Sequence, residues 1–288
     1  MSKTVIMTDS ASDISRENEE KYGIKIICFQ HAFGDKTYIS RKDFNNREYY
    51  QLLEGFDGIP ATAQVTPFEF QEIYEQEYAD GCNDLIYVSI NSKGSATHDN
   101  AVLASQLFFD EHPEARDTMR IHVIDGRVYT GGYGHAVVEG ARMLADGASA
   151  DEVVEFITDW CDHCEIYFVP YTLKYAAKSG RINGATAFLG NALGIKPLML
   201  IKDQTINDVA KIRGDKNVIR TIKTHSMERM KEGKPYLIVY GSDPALGREM
   251  ADAMTEAVGV PPADLYEIGA EIAANAGPKV VGVMYYAK

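Results

Sequence analysis

The sequence predicts an α/β protein: an N-terminal domain of parallel sheet with crossover helices, then a second α/β domain of mixed or antiparallel sheet. Three observations carry this. Short apolar, partly β-branched runs alternate with helical patterns through the first half, as successive strand-helix units do. Polar clusters (Thr8-Asp9-Ser10, Asn91–Thr97, Asp125–Gly134) follow those runs, at the strand ends where ligands of parallel sheets gather. After Cys164 the texture changes to strands joined by turns.

Element by element, Thr4–Met7 reads as the first strand and residues 15–22 as a helix. Lys25–Phe29 reads as a second strand, and Phe33-Gly34-Asp35-Lys36-Thr37 as a hairpin turn. Strands at Leu85–Ser89 and Ile121–Ile124 alternate with helices over 67–79, 98–111 and 133–146. Asp151 to Cys164 fits a helix whose apolar face is Val153, Val154, Phe156, Ile157 and Trp160. Beyond it, Ile166–Val169, Pro197–Ile201, Tyr236–Tyr240 and Val280–Tyr286 read as strands. Asp203-Gln204-Thr205 turns the second of these back on an antiparallel partner, and helices fit 215–231 and 244–258. The expected domains are 1–160 and 161–288, with a soft boundary that segments can cross.

The chain has 288 residues, enough for one large domain or two of ordinary size. Its 29 Lys and Arg stand against 42 Asp and Glu, a net charge of −13. That balance argues against a nucleic-acid grip and against docking on anionic lipid. A small anion is not excluded, because local donors outweigh distant charge. Mean hydropathy is −0.23, and no apolar run approaches the ~18 residues of a membrane span. The start runs straight into a polar turn, leaving no room for a signal peptide. The expectation is a soluble, cytoplasmic protein.

Cys161 and Cys164 have the spacing of a redox or zinc pair, but they are the only such pair and lie on a predicted helix, so they read as structural. Gly131-Gly132-Tyr133-Gly134 precedes a helix but lacks the rest of a dinucleotide fingerprint, and no P-loop is present. Asp9 and Asp13 read as turn and cap residues rather than metal ligands. Ser95, in Lys93-Gly94-Ser95-Ala96-Thr97, departs from the nucleophile elbow. It, or Thr97, either caps the following helix or holds an anion there, and the two roles are compatible. Arg181, between Gly180 and Ile182 in Ser179-Gly180-Arg181-Ile182-Asn183-Gly184, is either a solvated arginine or a two-pronged grip on a carboxylate, phosphate or partner. No cofactor is expected. These residues alone do not identify a reaction.

Taken as a set, five segments resemble the DegV family of bacterial fatty-acid-binding proteins over about residues 4–286. They are Met7-Thr8-Asp9-Ser10-Ala11-Ser12-Asp13, Pro60-Ala61-Thr62-Ala63-Gln64, Ser95-Ala96-Thr97, and Ile124-Asp125 with Thr130-Gly131-Gly132-Tyr133-Gly134. The most specific runs from Leu173-Lys174-Tyr175 through Ser179-Gly180-Arg181-Ile182 to Leu189-Gly190-Asn191-Ala192-Leu193-Gly194-Ile195-Lys196-Pro197. The resemblance implies a lipid tunnel between two domains. It also implies a long-chain fatty acid as ligand, and a separate ATP-dependent, dihydroxyacetone-kinase-like fatty acid kinase as partner. The family's carboxylate-holding threonine falls on Thr62 and its Ser-Gly-Thr serine on Ser95, with Ala96 in place of the glycine. Its kinase-docking arginine falls on Arg181.

Two departures stand out. The family's His-Thr-Gly-Pro is here Asn275-Ala276-Gly277-Pro278. Asn275 can donate through its amide but cannot become cationic. Gly126 stands where the family often has serine. The resemblance implies Thr62, Ser95, the Ala96 N–H and Asn275 as ligand donors, with no catalytic residue in this chain. Burying ~14 methylenes would gain roughly 11 kcal/mol before ordering costs. The alternatives are a hydrolase or transferase using Ser95 as nucleophile, and a carrier of a differently headed lipid.

Overall fold

A computed structural model of the chain describes residues 3–176, 180–181 and 194–288. The first half runs β1 (Thr4–Asp9), α1 (Arg16–Tyr22), β2 (Lys25–Ile27), β3 (Gln30–Phe33), β4 (Lys36–Ile39) and α2 (Asn46–Gly55). It continues with β5 (Ala61–Ala63), α3 (Pro67–Ala79), β6 (Asp84–Ser89), α4 (Thr97–Glu111), β7 (Arg120–Asp125), α5 (Gly131–Ala145) and α6 (Ala150–His163). The second half has β8 (Cys164–Pro170), β9 (Ile195–Lys202), β10 (Thr205–Arg213), α7 (Val218–Arg229) and β11 (Tyr236–Tyr240). It ends with α8 (Pro244–Val258), β12 (Asp264–Glu267), α9 (Ala270–Ala276) and β13 (Val280–Tyr286).

The predicted parallel sheet is present as β2-β1-β6-β7, and a small antiparallel sheet, β4-β3-β5, stands apart from it. The second sheet has the order β10-β9-β8-β13-β11-β12. Its pairs are antiparallel except β11 with β12. Both faces of this sheet are covered, so its strands read as continuous apolar runs. Ile166, Phe168, Met199, Ile201 and Val239 join the core shared with the first half. Their neighbours Tyr167, Val169, Leu198, Leu200 and Ile238 pack under α7 and α8. The two-residue side-chain period sorts them to opposite faces.

Local chemistry sets the helix starts. Thr66 and Glu69, with Pro67 at the first helical position, form a capping box on α3, and Ser149 and Glu152 form another on α6. Gly134 marks a close approach of α5 to the chain after β1. A Cβ there would lie 2.2 Å from the Ser12 carbonyl oxygen. This packing role accounts for glycine at that position without any phosphate. At Gly126 a Cβ would meet the Ser89 carbonyl oxygen at 2.3 Å, which explains why this backbone carries no serine.

The differences from expectation are local. The strand foreseen over Lys25–Phe29 stops at Ile27, and a separate strand starts at Gln30. The helix foreseen over 215–231 is a short 3-10 turn at Asp215–Asn217 followed by α7. Cys164 opens β8 instead of closing α6. Cys161 and Cys164 are buried and free, and burial pushes both thiols up, away from the thiolate that metals and redox partners need. No helix among the described residues is long and apolar enough to cross a membrane.

Candidate functional site

The segments that follow β2, β6 and β7 meet the second sheet at a cavity of about 360 Å³. Ile166, Phe168, Ile201, Ile206, Val239 and Val280 supply one apolar wall. Phe29, Ile90, Ile268 and Ile272 supply much of the other. The polar lining includes Thr62, Ser92, Lys93, Ser95, Asn275 and Arg181. A largely apolar cavity with polar groups gathered among its lining suits a lipid-like or other apolar molecule with a small polar end.

The structure brings every residue singled out from the sequence (Thr62, Ser95, Ala96, Asn275 and Arg181) to this one cavity. Thr62 sits on β5, directly opposite His31 of β3. Ala96 is the N-cap of α4 and contributes no side-chain cap. The cap foreseen for Ser95 is present in altered form: its hydroxyl accepts the Thr97 N–H at 3.3 Å and pairs with the Thr97 hydroxyl at 2.9 Å. Among the described residues no histidine or lysine hydrogen-bonds to Ser95. Asn275, half-buried on α9, donates to the Glu271 carbonyl at 2.8 Å, which leaves its second N–H and its oxygen for other partners. Arg181 is exposed at the cavity wall. Ser179, Ile182–Gly184 and Leu189–Leu193 of the same motif lie outside the described residues.

Asp9 holds the polar end in shape. Its fully buried carboxylate accepts Tyr133 Oη at 2.6 Å, the Ile90 N–H at 2.8 Å, Tyr87 Oη at 3.1 Å and the Ala11 N–H at 3.1 Å. It thus ties β1 to the loop after β6 and to α5. Burial raises its pKa to about 6 against the lowering pull of these donors. Asp125 does similar work one strand over. It accepts the Ser92 N–H at 3.0 Å, the Arg127 N–H at 2.8 Å, and the amide of Gln204. Asp203 and Gln204, both at positive φ, form the tip of the β9-β10 hairpin. Asn91 Nδ2 donates to the Gln204 carbonyl at 2.9 Å, so the hairpin tip is pinned to the loop that carries Ser95.

Sequence reasoning missed one group. Glu271, buried on α9, lines the cavity and accepts Ser10 Oγ at 2.6 Å; His31 Nε2 lies 3.3 Å away, and His31 Nδ1 lies 2.9 Å from Tyr49 Oη. Burial alone would raise the Glu271 pKa, but the His31 and Ser10 hydrogen bonds and the His31 charge carry it below the ordinary value. An ionised carboxylate therefore stands one helical turn from Asn275. The partners are 240 and 261 residues apart in the chain, and no local pattern announces such a pairing.

Fold and cavity define an α/β protein of two larger sheets and one small one, with a largely apolar cavity beside them. The chain belongs to the DegV family: the family model, described as an uncharacterised protein of the DegV family, matches residues 3–288. A DegV domain-containing protein of Caldanaerobacter subterraneus is 33% identical over 223 residues, 77% of this chain and 76% of that one. One from Clostridium perfringens is 28% identical over 97% of each chain. Among solved structures, a stearic acid-binding protein from Eubacterium ventriosum superposes with TM-score 0.86 at 24% identity, covering 99% of this chain and 97% of that one. A fatty-acid-binding DegV family protein from Thermus thermophilus gives 0.80 at 25% identity, covering 99% and 100%.

Proposed function

We propose that this protein is a carrier that sequesters a long-chain fatty acid in the cavity between its two halves and presents the carboxylate to a separate ATP-dependent kinase. The observation that carries the reading is the cavity itself: a largely apolar space with Thr62, Ser95, Ala96 and Asn275 on one lining. Its relatives' fatty-acid ligands point the same way. Thr62, Ser95 and Asn275 offer an anionic head group hydrogen-bond donors, and Lys93 adds positive charge to the same lining. The bond chemistry belongs to the partner.

Mass spectrometry of an organic extract of the purified, denatured protein tests this. A stoichiometric fatty acid supports the carrier, and an empty extract with no uptake of added fatty acid removes it. Thr62→Val and Ser95→Ala should each weaken fatty-acid binding about 10-fold, the loss of one hydrogen bond to a charged group. Unchanged affinity in both would discard these head-group contacts.

Arg181→Ala should leave fatty-acid affinity within about 2-fold and lower the rate of acyl-phosphate formation by a DegV-system kinase at least about 10-fold. An equal fall in both readouts would make Arg181 a ligand contact, as its place on the cavity lining allows, and would end the docking role.

The ionised Glu271 beside Asn275 favours one second reading, a lipid whose polar end is neutral. An anionic head near that corner meets like charge in a low dielectric. The head group of the extracted lipid separates the two readings.

A further inference from the structure

Tyr129 lines the cavity together with Gly94 and Ser95. The chain holds this tyrosine on both sides. The Val128 carbonyl before it accepts the Asn91 N–H at 3.2 Å, which ties the loop after β7 to the loop after β6. Its own carbonyl accepts the Gly132 N–H at 3.1 Å in the turn that opens α5. The side chain is half-buried and packs against the core. Its hydroxyl rests on Gly94: a Cβ there would stand 2.3 Å from Tyr129 Oη and 3.1 Å from Cε1 and Cζ. Gly94 is not at positive φ, so its backbone does not call for glycine. The phenol does, because it fills the space that any other side chain at this position would take.

We propose that Tyr129 is a specificity-determining residue of this cavity: its hydroxyl donates a hydrogen bond to the ligand's carboxylate alongside Ser95, and Gly94 is the gap that admits it. This role rests on the carrier reading of the same cavity. A tyrosine in a largely apolar wall desolvates its hydroxyl, a cost that phenylalanine would not bear, and such hydroxyls take a hydrogen-bond partner. The Asn91 amide is fixed, its oxygen accepting the Lys93 N–H at 3.0 Å and its nitrogen donating to the Gln204 carbonyl at 2.9 Å. It turns its other N–H to the Tyr129 oxygen. A phenol that accepts from an amide keeps its own proton to give.

Burial pushes the Tyr129 pKa up to about 12, so the proton stays on the oxygen at neutral pH and the group acts as a donor. A hydrogen bond to an ionised acceptor is roughly twice as strong as one between neutral groups. Tyr129 therefore favours a carboxylate over a neutral head of the same chain length. The contribution matters because Asn275 cannot become cationic. The head group has to be met largely by neutral donors, and Tyr129 adds one from the β7-α5 loop, a segment that supplies none of the others.

The test is displacement of a fluorescent fatty acid from the delipidated full chain, by palmitate and by hexadecanol. Tyr129→Phe should weaken palmitate binding about 10-fold and hexadecanol binding about 3-fold or less. Gly94→Ala should also weaken palmitate binding, because its Cβ displaces the hydroxyl. In the Tyr129→Phe background the same change should add less than about 2-fold, since the atom it displaces is gone. Wild-type palmitate affinity in Tyr129→Phe, or an equal loss for palmitate and hexadecanol, would overturn the proposal and leave the carrier reading in place. Fully additive losses in the double variant would overturn the pairing of Gly94 with Tyr129. A wild-type protein that binds no palmitate would overturn the carrier reading itself, and the role of Tyr129 with it.

Discussion

Asp9→Ala is expected to destabilise the protein by about 4 kcal/mol, read as a fall in denaturant midpoint at unchanged slope. The substitution strands two tyrosine hydroxyls and the N–H groups of Ile90 and Ala11, all of which now donate to this one buried carboxylate. Each orphaned buried donor costs roughly 1 kcal/mol or more. Asp9→Asn isolates the electrostatics. The folded pKa of about 6 exceeds the unfolded value of 3.8, so the folded state holds this proton more tightly. The resulting stability is complete below about pH 4 and is lost as pH rises through 6, a swing of about 3 kcal/mol. Wild type should therefore lose stability relative to Asp9→Asn between pH 4 and 7. A gap that does not change with pH would show that Asp9 titrates normally and does not carry this linkage.

The consequence reaches the cavity. Ile90 opens the loop that leads to Ser95, and its N–H is fixed by Asp9 Oδ2. Loosening that bond should also weaken ligand binding, whereas a substitution in the core under α7 and α8 should lower stability alone.

The elements that were legible are those whose signal is local. β1 and β6 are apolar runs buried on both sides, β7 is a partly buried apolar run, and α3 and α6 start with capping boxes. α2 also carries a local signal: Asn45 and Glu48 form a capping box ahead of the buried Tyr49, Tyr50 and Leu53. β5 had none. Ala61-Thr62-Ala63 is a strand only because β3 lies beside it, and tertiary pairing outweighs its weak propensity. The same holds for the site. Thr62, Ser95 and Asn275 come from three distant segments, and periodicity cannot show that they share a cavity. The family resemblance pointed to them, and the geometry places them together. The Glu271–His31 pair had no signal of either kind, because it depends on α9 packing against chain more than two hundred residues away.

Val239→Phe should weaken fatty-acid binding about 50-fold without lowering the stability of the unliganded protein. Val239 lines the cavity from β11, on the strand face shared with Leu237 and opposite Ile238. A larger ring there projects into the space assigned to the acyl chain. Displacing about three methylenes forfeits roughly 2.4 kcal/mol of burial, hence about 50-fold in affinity. The same ring fills empty volume in the apo protein, which offsets strain in the strand. Opposite movement of the two readouts is the signature of a binding cavity; a packed core would lose stability instead. Ala276→Phe, on α9 at the facing wall, repeats the experiment from a helix and guards against failure of the strand variant to fold. If a folded variant of either kind binds fatty acid as wild type does, the acyl chain lies elsewhere and the carrier reading loses its site.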